Sequence, residues 1–578
     1  QVTAPIDNPP FHDEPYDESV THLEQESTDH SHTESNENRL SSLRERTEKI
    51  KPIKYSCLTI DPQSYQGAMK SNQKEEWKKA IQEELNNIED HDVWENMPQE
   101  PNSYLRTIWT FKTKPSTQSM VERKKARLCI QGFAQIPGQD YGDTFAPTGK
   151  FTSLLVILMF ALDKSLPIRQ FDVKSAFLYA PLDEEIYIKT PMGSDRTTPY
   201  LKLKKSLYGL KQAPANWYNT LTSWFSSINF IQSTSDPCVF IHKDKTSFIF
   251  FHVDDLVVVG KTHQFEQLFL HQFPNSSVHE PDTLLGMELE FNKGSVKLSQ
   301  KELIKKGLLL AGISECRPTT TPLSPSVKLV EASENKRMEF AKLNINYRTH
   351  TGMLNYLACR TRPDLAAAVS ILSGYNNAPG TSHWKQIVHC WKYLAGTIDL
   401  ALRLNPQTDQ CSKALHQFTD ATWEDDLQTR LSRSGSICFW KACPIAWNSK
   451  KQRNITLSST EAEANALSDG VQENQWIKHL IEELWNENIN PTVFYIDNQG
   501  LLEKLKHFGS NSKTKHLDIK MKWLCDLFNK KEIAVTLIPS EGMIADALTK
   551  ANNSNSLNTL KAKCFLVKTC FSSNDRGC

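Results

Sequence analysis

An α+β unit and then an α/β unit, with a helix-rich stretch between them, are what this sequence predicts, and three observations carry the prediction. Helix-period and strand-period apolar patterns alternate from Ser71 to the hairpin of residues 248–259. Residues 300–405 are mostly helical in pattern and rich in Leu, Ala and Trp. From Leu415 onward strand, hairpin, helix and strand follow one another again. Elements mixed in this way pack helices against sheets.

The chain has 578 residues, enough for several domains, with 39% hydrophobic and 23% charged residues, so most of it should be globular. Lys+Arg and Asp+Glu both number 67. That balance argues against a simple nucleic-acid coat protein, which would be strongly basic. It leaves open an enzyme that gathers its positive charge in one groove. Thirteen Cys are scattered without a framework, as in a reduced intracellular protein. The tight pair Cys438 and Cys443 lacks a second pair at zinc-finger spacing, so both are read as strand or core residues. The longest apolar run, Leu154 to Leu162, is too short to span a bilayer, and no signal peptide is visible. A start at Gln1 is read as a processed chain or a fragment.

Residues 1–50 hold twelve Asp/Glu against four Lys/Arg, with four His. Such a segment cannot bury enough surface to offset its chain entropy, so residues 1–55 are read as a disordered acidic linker. Trp77, Ile81, Leu85 and Ile88 then recur at helical steps in a charged background. Ile108 to Lys112 is a strand. Arg123 to Ile130 alternates basic and apolar residues ahead of Gly132, and Phe151 to Leu162 is an apolar helix. Strands follow at Arg169 to Val173 and Glu185 to Ile188, and a hairpin at Phe248 to Val259. In the second unit a hairpin spans Ser436 to Trp447, a helix Ser458 to Leu467 and a strand Val493 to Ile496.

Asp254 and Asp255 interrupt F-I-F-F-H-V-D-D-L-V-V-V-G. Adjacent acids between two apolar runs repel each other and lose solvation, so they call for a cation. An exposed hairpin turn is the alternative, since Asp favours turns. Asp172, ending the strand R-Q-F-D, tips the balance. Carboxylates on neighbouring strand ends can hold two magnesium ions, one to activate a 3′-hydroxyl and both to stabilise a phosphoryl transition state.

Four segments, in order, carry a specific resemblance. They are K-A-R-L-C-I-Q-G-F-A-Q-I-P-G-Q-D-Y-G-D-T-F-A-P from Lys125, Q-F-D-V-K-S-A-F-L-Y-A-P-L-D-E-E-I-Y-I from Gln170, S-L-Y-G-L-K-Q-A-P-A-N-W-Y from Ser206, and V-D-D-L-V-V-V-G from Val253. They resemble the reverse transcriptase of copia-type LTR retrotransposon Pol (Pseudoviridae). The resemblance covers roughly residues 70–555. It implies an α+β right-hand polymerase of fingers, palm and thumb, a helical connection, and an α/β ribonuclease H-like domain. Fingers and palm would fill 56–295, thumb and connection 296–410, and the ribonuclease H-like domain 411–578. It also implies that Asp172, Asp254 and Asp255 bind the metals and that Arg127 and Lys125 hold the incoming triphosphate. Phe177 would be an aromatic gate whose face excludes a ribose 2′-hydroxyl. Read without the resemblance, Phe177 is a core aromatic and Arg127 part of a solvated strand face. His252 departs from the family, which usually has Tyr there. Leu284 to Glu290 resembles a primer-gripping hairpin. The run from Tyr347 through T-R-P-D-L-A-A-A-V to W-K-Y-L-A-G-T resembles the thumb and connection, whose cations could contact phosphates.

A second set of acids sits at element ends: Asp420 in Q-F-T-D-A, Glu461 in L-S-S-T-E-A-E, Asp497 in F-Y-I-D and Asp546 in I-A-D-A-L-T-K. Ser458 to Thr460 can cap a helix and put Glu461 in its first turn. Any one of these acids alone would be an ordinary cap or surface group. Together with W-N-S-K-K-Q and K-T-K-H-L-D-I they resemble the copia-type ribonuclease H and its four-carboxylate, two-metal site. His516, in K-T-K-H, is read as a structural hydrogen-bonding residue, and Asn465 stands where an aromatic is common.

The resemblance implies an RNA- and DNA-templated DNA polymerase with hybrid-specific ribonuclease H activity, using two Mg2+ per active site, with Mn2+ as a substitute. Its partners would be RNA template, DNA primer, RNA–DNA hybrid and dNTPs, with integrase and Gag of the same element, and no membrane. It would act in cytoplasmic virus-like particles before nuclear entry of the complex. A decayed nucleic-acid binder and a particle assembly component are the rival readings; seven intact acids argue against decay. No D-S-G or D-T-G triplet and no zinc-binding His/Cys array is present, so neither protease nor integrase chemistry is expected of this sequence.

Overall fold

The apolar stripe expected around Trp77 to Ile88 is the buried face of helix Lys74–Asp90, where Trp77, Ala80, Ile81, Leu85 and Ile88 are all buried. This computed structural model describes residues 61–114, 123–274, 276–325, 327–406, 413–507, 515–550 and 553–565, all within one compact unit. The linker expected at 1–55 lies outside the described residues. Helix Lys74–Asp90 packs on strand Arg123–Ile130, which buries Ala126, Leu128 and Ile130 and turns Lys125 and Arg127 the other way. That strand pairs antiparallel with Thr107–Lys114, Trp109 opposite Leu128. A small sheet of Trp94–Met97, Tyr200–Leu203 and Tyr187–Lys189 completes this first layer.

A six-stranded sheet follows, in the order 277–279, 168–172, 255–260, 247–252, 239–242 and 230–232. Its two hairpin strands carry the unbroken apolar runs 248–251 and 256–259 because both faces are covered there. Phe248, Phe250, Val257 and Val259 face helix Phe151–Asp163, which is buried from Ser153 to Leu162. Phe171, Ile249, Phe251, Leu256 and Val258 face helices Ala213–Ser227 and Thr262–Gln272 through Trp217, Phe225, Phe265 and Phe269. Truncating any one of these buried rings to Ala would cost about 3–5 kcal/mol.

Next comes a four-stranded sheet of 283–284, 287–292, 295–299 and 402–404, and beside it five helices between Lys301 and Gly396. The turn at Leu285 is tied to helix Tyr347–Arg360 by the Tyr356 hydroxyl, which donates to the Leu285 carbonyl at 2.6 Å. In T-R-P-D, Arg362 is buried and ion-paired with Asp364; Tyr393 donates to the same carboxylate at 2.6 Å and Arg362 donates to Thr397. Arg362 is therefore a structural cation and is not available to phosphates.

The last sheet has the order 443–451, 433–440, 414–422, 490–496, 533–537. The first three strands are antiparallel and the last two join in parallel. Cys438 and Cys443 are buried in it, as expected. The helix expected at 458–467 is longer, running Ser459–Trp485 along the central strand. Trp485 of this helix donates to Asp163 at 2.7 Å, and Trp447 donates to the Ala358 carbonyl at 2.7 Å, so both neighbouring layers are stapled to this sheet. Among the described residues no helix is long and apolar enough to cross a membrane.

Candidate active sites

Asp172 and Asp255 stand directly opposite each other on antiparallel strands Ile168–Asp172 and Asp255–Gly260. Asp255 is also opposite His252 across the hairpin. Directly paired residues share a face, so the sheet ends in two like charges side by side, an arrangement that destabilises a sheet. Val253 and Asp254 form the two-residue turn. Val253 has φ +59°, a left-handed backbone that a β-branched residue seldom adopts. The turn is held by Trp217 Nε1, which donates to the Val253 carbonyl at 2.8 Å, and by the Val173 N–H, which donates to the Asp254 carbonyl at 3.3 Å. Burial and the neighbouring Asp172 charge raise the Asp254 pKa, while Arg127 and Lys125 oppose the shift. His252 lies with its Nδ1 3.2 Å from the Gly149 carbonyl, and burial lowers its pKa.

The hairpin of strands Thr107–Lys114 and Arg123–Ile130 brings Arg127 and Lys125 to this turn. The Arg127 guanidinium lies over the Tyr208 ring, 4.8 Å from its centroid, and Phe177 meets the same ring edge-on at 4.9 Å. Tyr208 thus touches both the expected triphosphate ligand and the expected sugar gate, and sequence reasoning did not single it out. Burial disfavours the charge on Arg127, but Tyr208, Asp254 and Glu84 outweigh it, so its pKa is raised and the charge is kept. Its buried Nε has no hydrogen-bond partner. The Tyr208 turn is fixed by the Ile130 N–H, which donates to the Tyr208 carbonyl at 2.7 Å. Gly209 follows at φ +94°, where a Cβ would meet the Ile130 oxygen at 2.1 Å.

On the last sheet Asp420, Glu463 and Asp497 each offer a carboxylate oxygen within 4.8 Å of the others, the one group of three acids among the described residues that converges so closely. Asp420 lies near the end of the central strand and is 4% exposed; Asp497 follows the parallel strand Asn490–Ile496. Thr549 donates to Asp420 at 2.6 Å and Ser540 to Asp497 at 2.8 Å. Desolvation lifts Asp420 to about 6 against the Thr549 hydrogen bond, and lifts Glu463 to about 9, with the Asp420 charge as the next cause. Glu463 is 5% exposed; one oxygen accepts the Ala421 N–H at 3.1 Å and the other, Oε2, has no partner.

The expectation for Glu461 is corrected here: Glu463, not Glu461, joins the cluster. Ser458 caps the helix by accepting the Glu461 N–H at 3.2 Å, and Glu461 turns its carboxylate back to accept the Leu457 N–H at 2.8 Å. This reciprocal cap keeps Glu461 at the helix end. Two residues on, about 200° around the helix, Glu463 faces the sheet. It shares a stripe with Leu467, Gly470 and Asn474, all buried, and that spacing was the signal available in the sequence. Asp546 is also buried and close enough to raise Asp420, but its own carboxylate is taken up by Lys550, Ser556 and Asn553, the last at 2.9 Å. Asn465, buried, donates to Gln452 at 3.2 Å and accepts from Lys520 at 2.9 Å, a polar network where an aromatic is common. The side chain of His516 lies outside the described residues.

Residues 92–325 match the family described as reverse transcriptase (RNA-dependent DNA polymerase). The chain is 33% identical, over 84% of its length, to the retrovirus-related Pol polyprotein from transposon RE1 of Arabidopsis thaliana, and covers 33% of that protein. It is 23% identical to the transposon Ty1-DR5 Gag-Pol polyprotein of Saccharomyces cerevisiae, over 87% of this chain and 29% of that one. It spans about a third of the length of these curated relatives. Among solved structures, a foamy viral protease-reverse transcriptase in complex with dsDNA is similar at 13% identity and TM-score 0.42, covering 80% of this chain and 83% of that one.

Proposed function

Because the chain belongs with the retrovirus-related Pol polyproteins of copia-type transposons and carries their reverse transcriptase domain, we propose that it polymerises DNA on RNA and DNA templates and cuts the RNA of the resulting hybrid at a second site. The observation that carries the reading is a pair of acid groups at the ends of two separate sheets: Asp172, Asp254 and Asp255 at one, and Asp420 and Asp497 with helix residue Glu463 at the other. Neither group serves packing, since clustered like charges cost stability unless a cation offsets them.

The donor set fits a divalent cation of the magnesium class, and the partnerless Glu463 Oε2 is the atom that lacks one. Magnesium, with manganese as a substitute, would be held by these two sets of acids, with Asp546 as the outer acid of the second, and supplies charge stabilisation for phosphoryl transfer when bound. Thr549 and Ser540 each occupy one carboxylate oxygen and so set which remains for a cation. Arg127 and Lys125 grip the triphosphate of a dNTP, and Tyr208 holds the guanidinium plane. Phe177 closes on the sugar and excludes a 2′-hydroxyl.

Template RNA, DNA primer and RNA–DNA hybrid are the macromolecular substrates. The Gag-Pol name of the yeast relative supports Gag of the same element as a partner, and integrase of that element is proposed beside it. The chain would then act in cytoplasmic particles before nuclear entry of the complex. The test is to assay primer extension and hybrid cleavage in parallel for wild type, Asp254→Asn and Asp497→Asn. Each variant should lose one activity and keep the other. A folded variant that loses both overturns the two-site reading.

A further inference from the structure

Helix Lys74–Asp90 carries an anomaly on its buried face. Glu84 lies in the stripe of Trp77, Ile81, Leu85 and Ile88, and Asn87 follows one turn later; their exposures are 8% and 9%. A carboxylate at a core position of an amphipathic helix costs stability unless something pairs with it. Its surroundings are specific. Glu84 accepts the Leu128 N–H at 3.3 Å, on the strand that carries Lys125 and Arg127. The charges acting on it are Lys125, Arg127 and Lys174. Asn87 donates from Nδ2 to Ser175 Oγ at 2.6 Å. Ser175 has φ +63° and opens the short turn Ala176–Tyr179 that carries Phe177, three residues after Asp172. One helix face therefore holds two separate pieces of chain, the strand that bears the basic residues and the loop that runs from Asp172 to the gate.

We propose that Glu84 and Asn87 are positioning residues for the nucleotide site, a polar clasp that fixes the triphosphate-binding strand and the Asp172–Phe177 loop in register with each other. The inference rests on the reading of Arg127, Lys125 and Phe177 as nucleotide contacts. Packing alone would be served better by an apolar side chain at position 84, since a buried ionic group is often replaced by a hydrophobe of similar volume without loss of stability. By accepting the Leu128 N–H, Glu84 pins the strand whose opposite face turns Lys125 and Arg127 toward the turn at Asp254. Asn87 holds the left-handed Ser175, so that Phe177 meets Tyr208 at a set angle.

Steady-state primer extension by Glu84→Gln, Glu84→Met, Asn87→Ala and Arg127→Ala tests this, with a melting temperature for each. Gln keeps an acceptor for the Leu128 N–H and Met keeps the volume. Gln should melt at or above the wild-type temperature and Met below it, because the buried Leu128 N–H loses its acceptor; both should raise the dNTP KM about tenfold, with kcat changed less than about threefold. Asn87→Ala should narrow the dNTP-over-rNTP preference with extension intact. Unchanged KM in a folded Gln or Met variant, with Arg127→Ala raising it, overturns the clasp alone. Unchanged KM in Arg127→Ala overturns the triphosphate reading and the clasp with it. A Met variant that does not fold leaves the decision to Gln, whose charge loss with shape kept is the stricter comparison.

Discussion

At the end of the six-stranded sheet three aspartates sit half-buried around a hairpin turn, with Lys125 and Arg127 close enough to act on Asp254. On the five-stranded sheet three acids converge within 4.8 Å, two of them buried, and the cation beside them, Lys550, is already bound to Asp546. The first group spreads its charge over two strands and a turn, opposite the cations Arg127 and Lys125 of strand Arg123–Ile130. The second concentrates its carboxyl groups inside the protein, where burial disfavours their charge, and leaves an oxygen with no partner. The second group should therefore depend more on a bound cation for stability, and the first more on Arg127 and Lys125 for its electrostatics.

The largest expected effect lies at the hairpin. Asp254→Asn should lower primer extension by at least about 10³-fold, since it removes a carboxylate where charge must be stabilised in the transition state. Hybrid cleavage should stay at the wild-type rate. Folding should survive or improve, because Asp254 is held beside Asp172 at a cost that its raised pKa reports. Extension within tenfold of wild type would remove this hairpin from the catalytic account.

On the other sheet Glu463→Gln keeps the acceptor for the Ala421 N–H and removes the ionisable carboxyl beside Asp420. Hybrid cleavage should fall by about 10²–10³-fold with extension intact. The same variant sharpens the contrast in cation dependence. Millimolar Mg2+ should raise the melting temperature of the wild type, by about 2–4 °C for each kcal/mol of preferential binding to the folded state. Most of that gain should vanish in Glu463→Gln, while Asp254→Asn should keep it. Equal loss in both variants would mean that the two groups bind cations alike.

A smaller effect is expected at the gate. Phe177→Ala should reduce discrimination between dNTP and rNTP by about 10–100-fold, measured as a ratio of kcat/KM values. Because Phe177 packs on Tyr208, and Tyr208 under Arg127, some rise in dNTP KM should accompany it. A changed KM with an unchanged ratio would make Phe177 a packing residue.

How legible each region was in the sequence follows from the same contrast. The strands of this hairpin carry the apolar runs 248–251 and 256–259, so two acids between them are conspicuous in one dimension, and Asp255 lies opposite Asp172. Tyr208 and Glu84 were not legible. One acts through a ring face contributed by a distant turn, and the other is an acid that looks like any charge on an amphipathic helix until its face is known. Arg362 misled in the opposite direction, since a basic residue in a basic-looking run proved to be buried against Asp364. In T-E-A-E two glutamates two residues apart compete, and the resemblance pointed to the first. Only the helix start decides between them. With Ser458 as the cap, Glu461 falls in the first turn beside the backbone N–H groups, and Glu463 falls on the stripe that meets the central strand.

The smallest expected effect is the most decisive for that choice. Glu461→Gln keeps an oxygen able to accept the Leu457 N–H, so the cap should survive and hybrid cleavage should stay within about threefold of wild type. Glu461→Ala removes the acceptor, and its cost should appear as stability, about 0.5–1 kcal/mol, with cleavage per folded molecule nearly unchanged. Measured side by side with Glu463→Gln, the two Glu461 variants separate a helix cap from a member of the acid cluster. The carboxylate of Glu461 is engaged at the helix end, next to Leu457, which is 85% exposed, while Glu463 lies at 5% exposure beside Asp420. A fall of two orders of magnitude in Glu461→Gln, with the helix intact by circular dichroism, would reverse the assignment. It would mean that substrate or metal binding draws Glu461 off its cap and into the cluster.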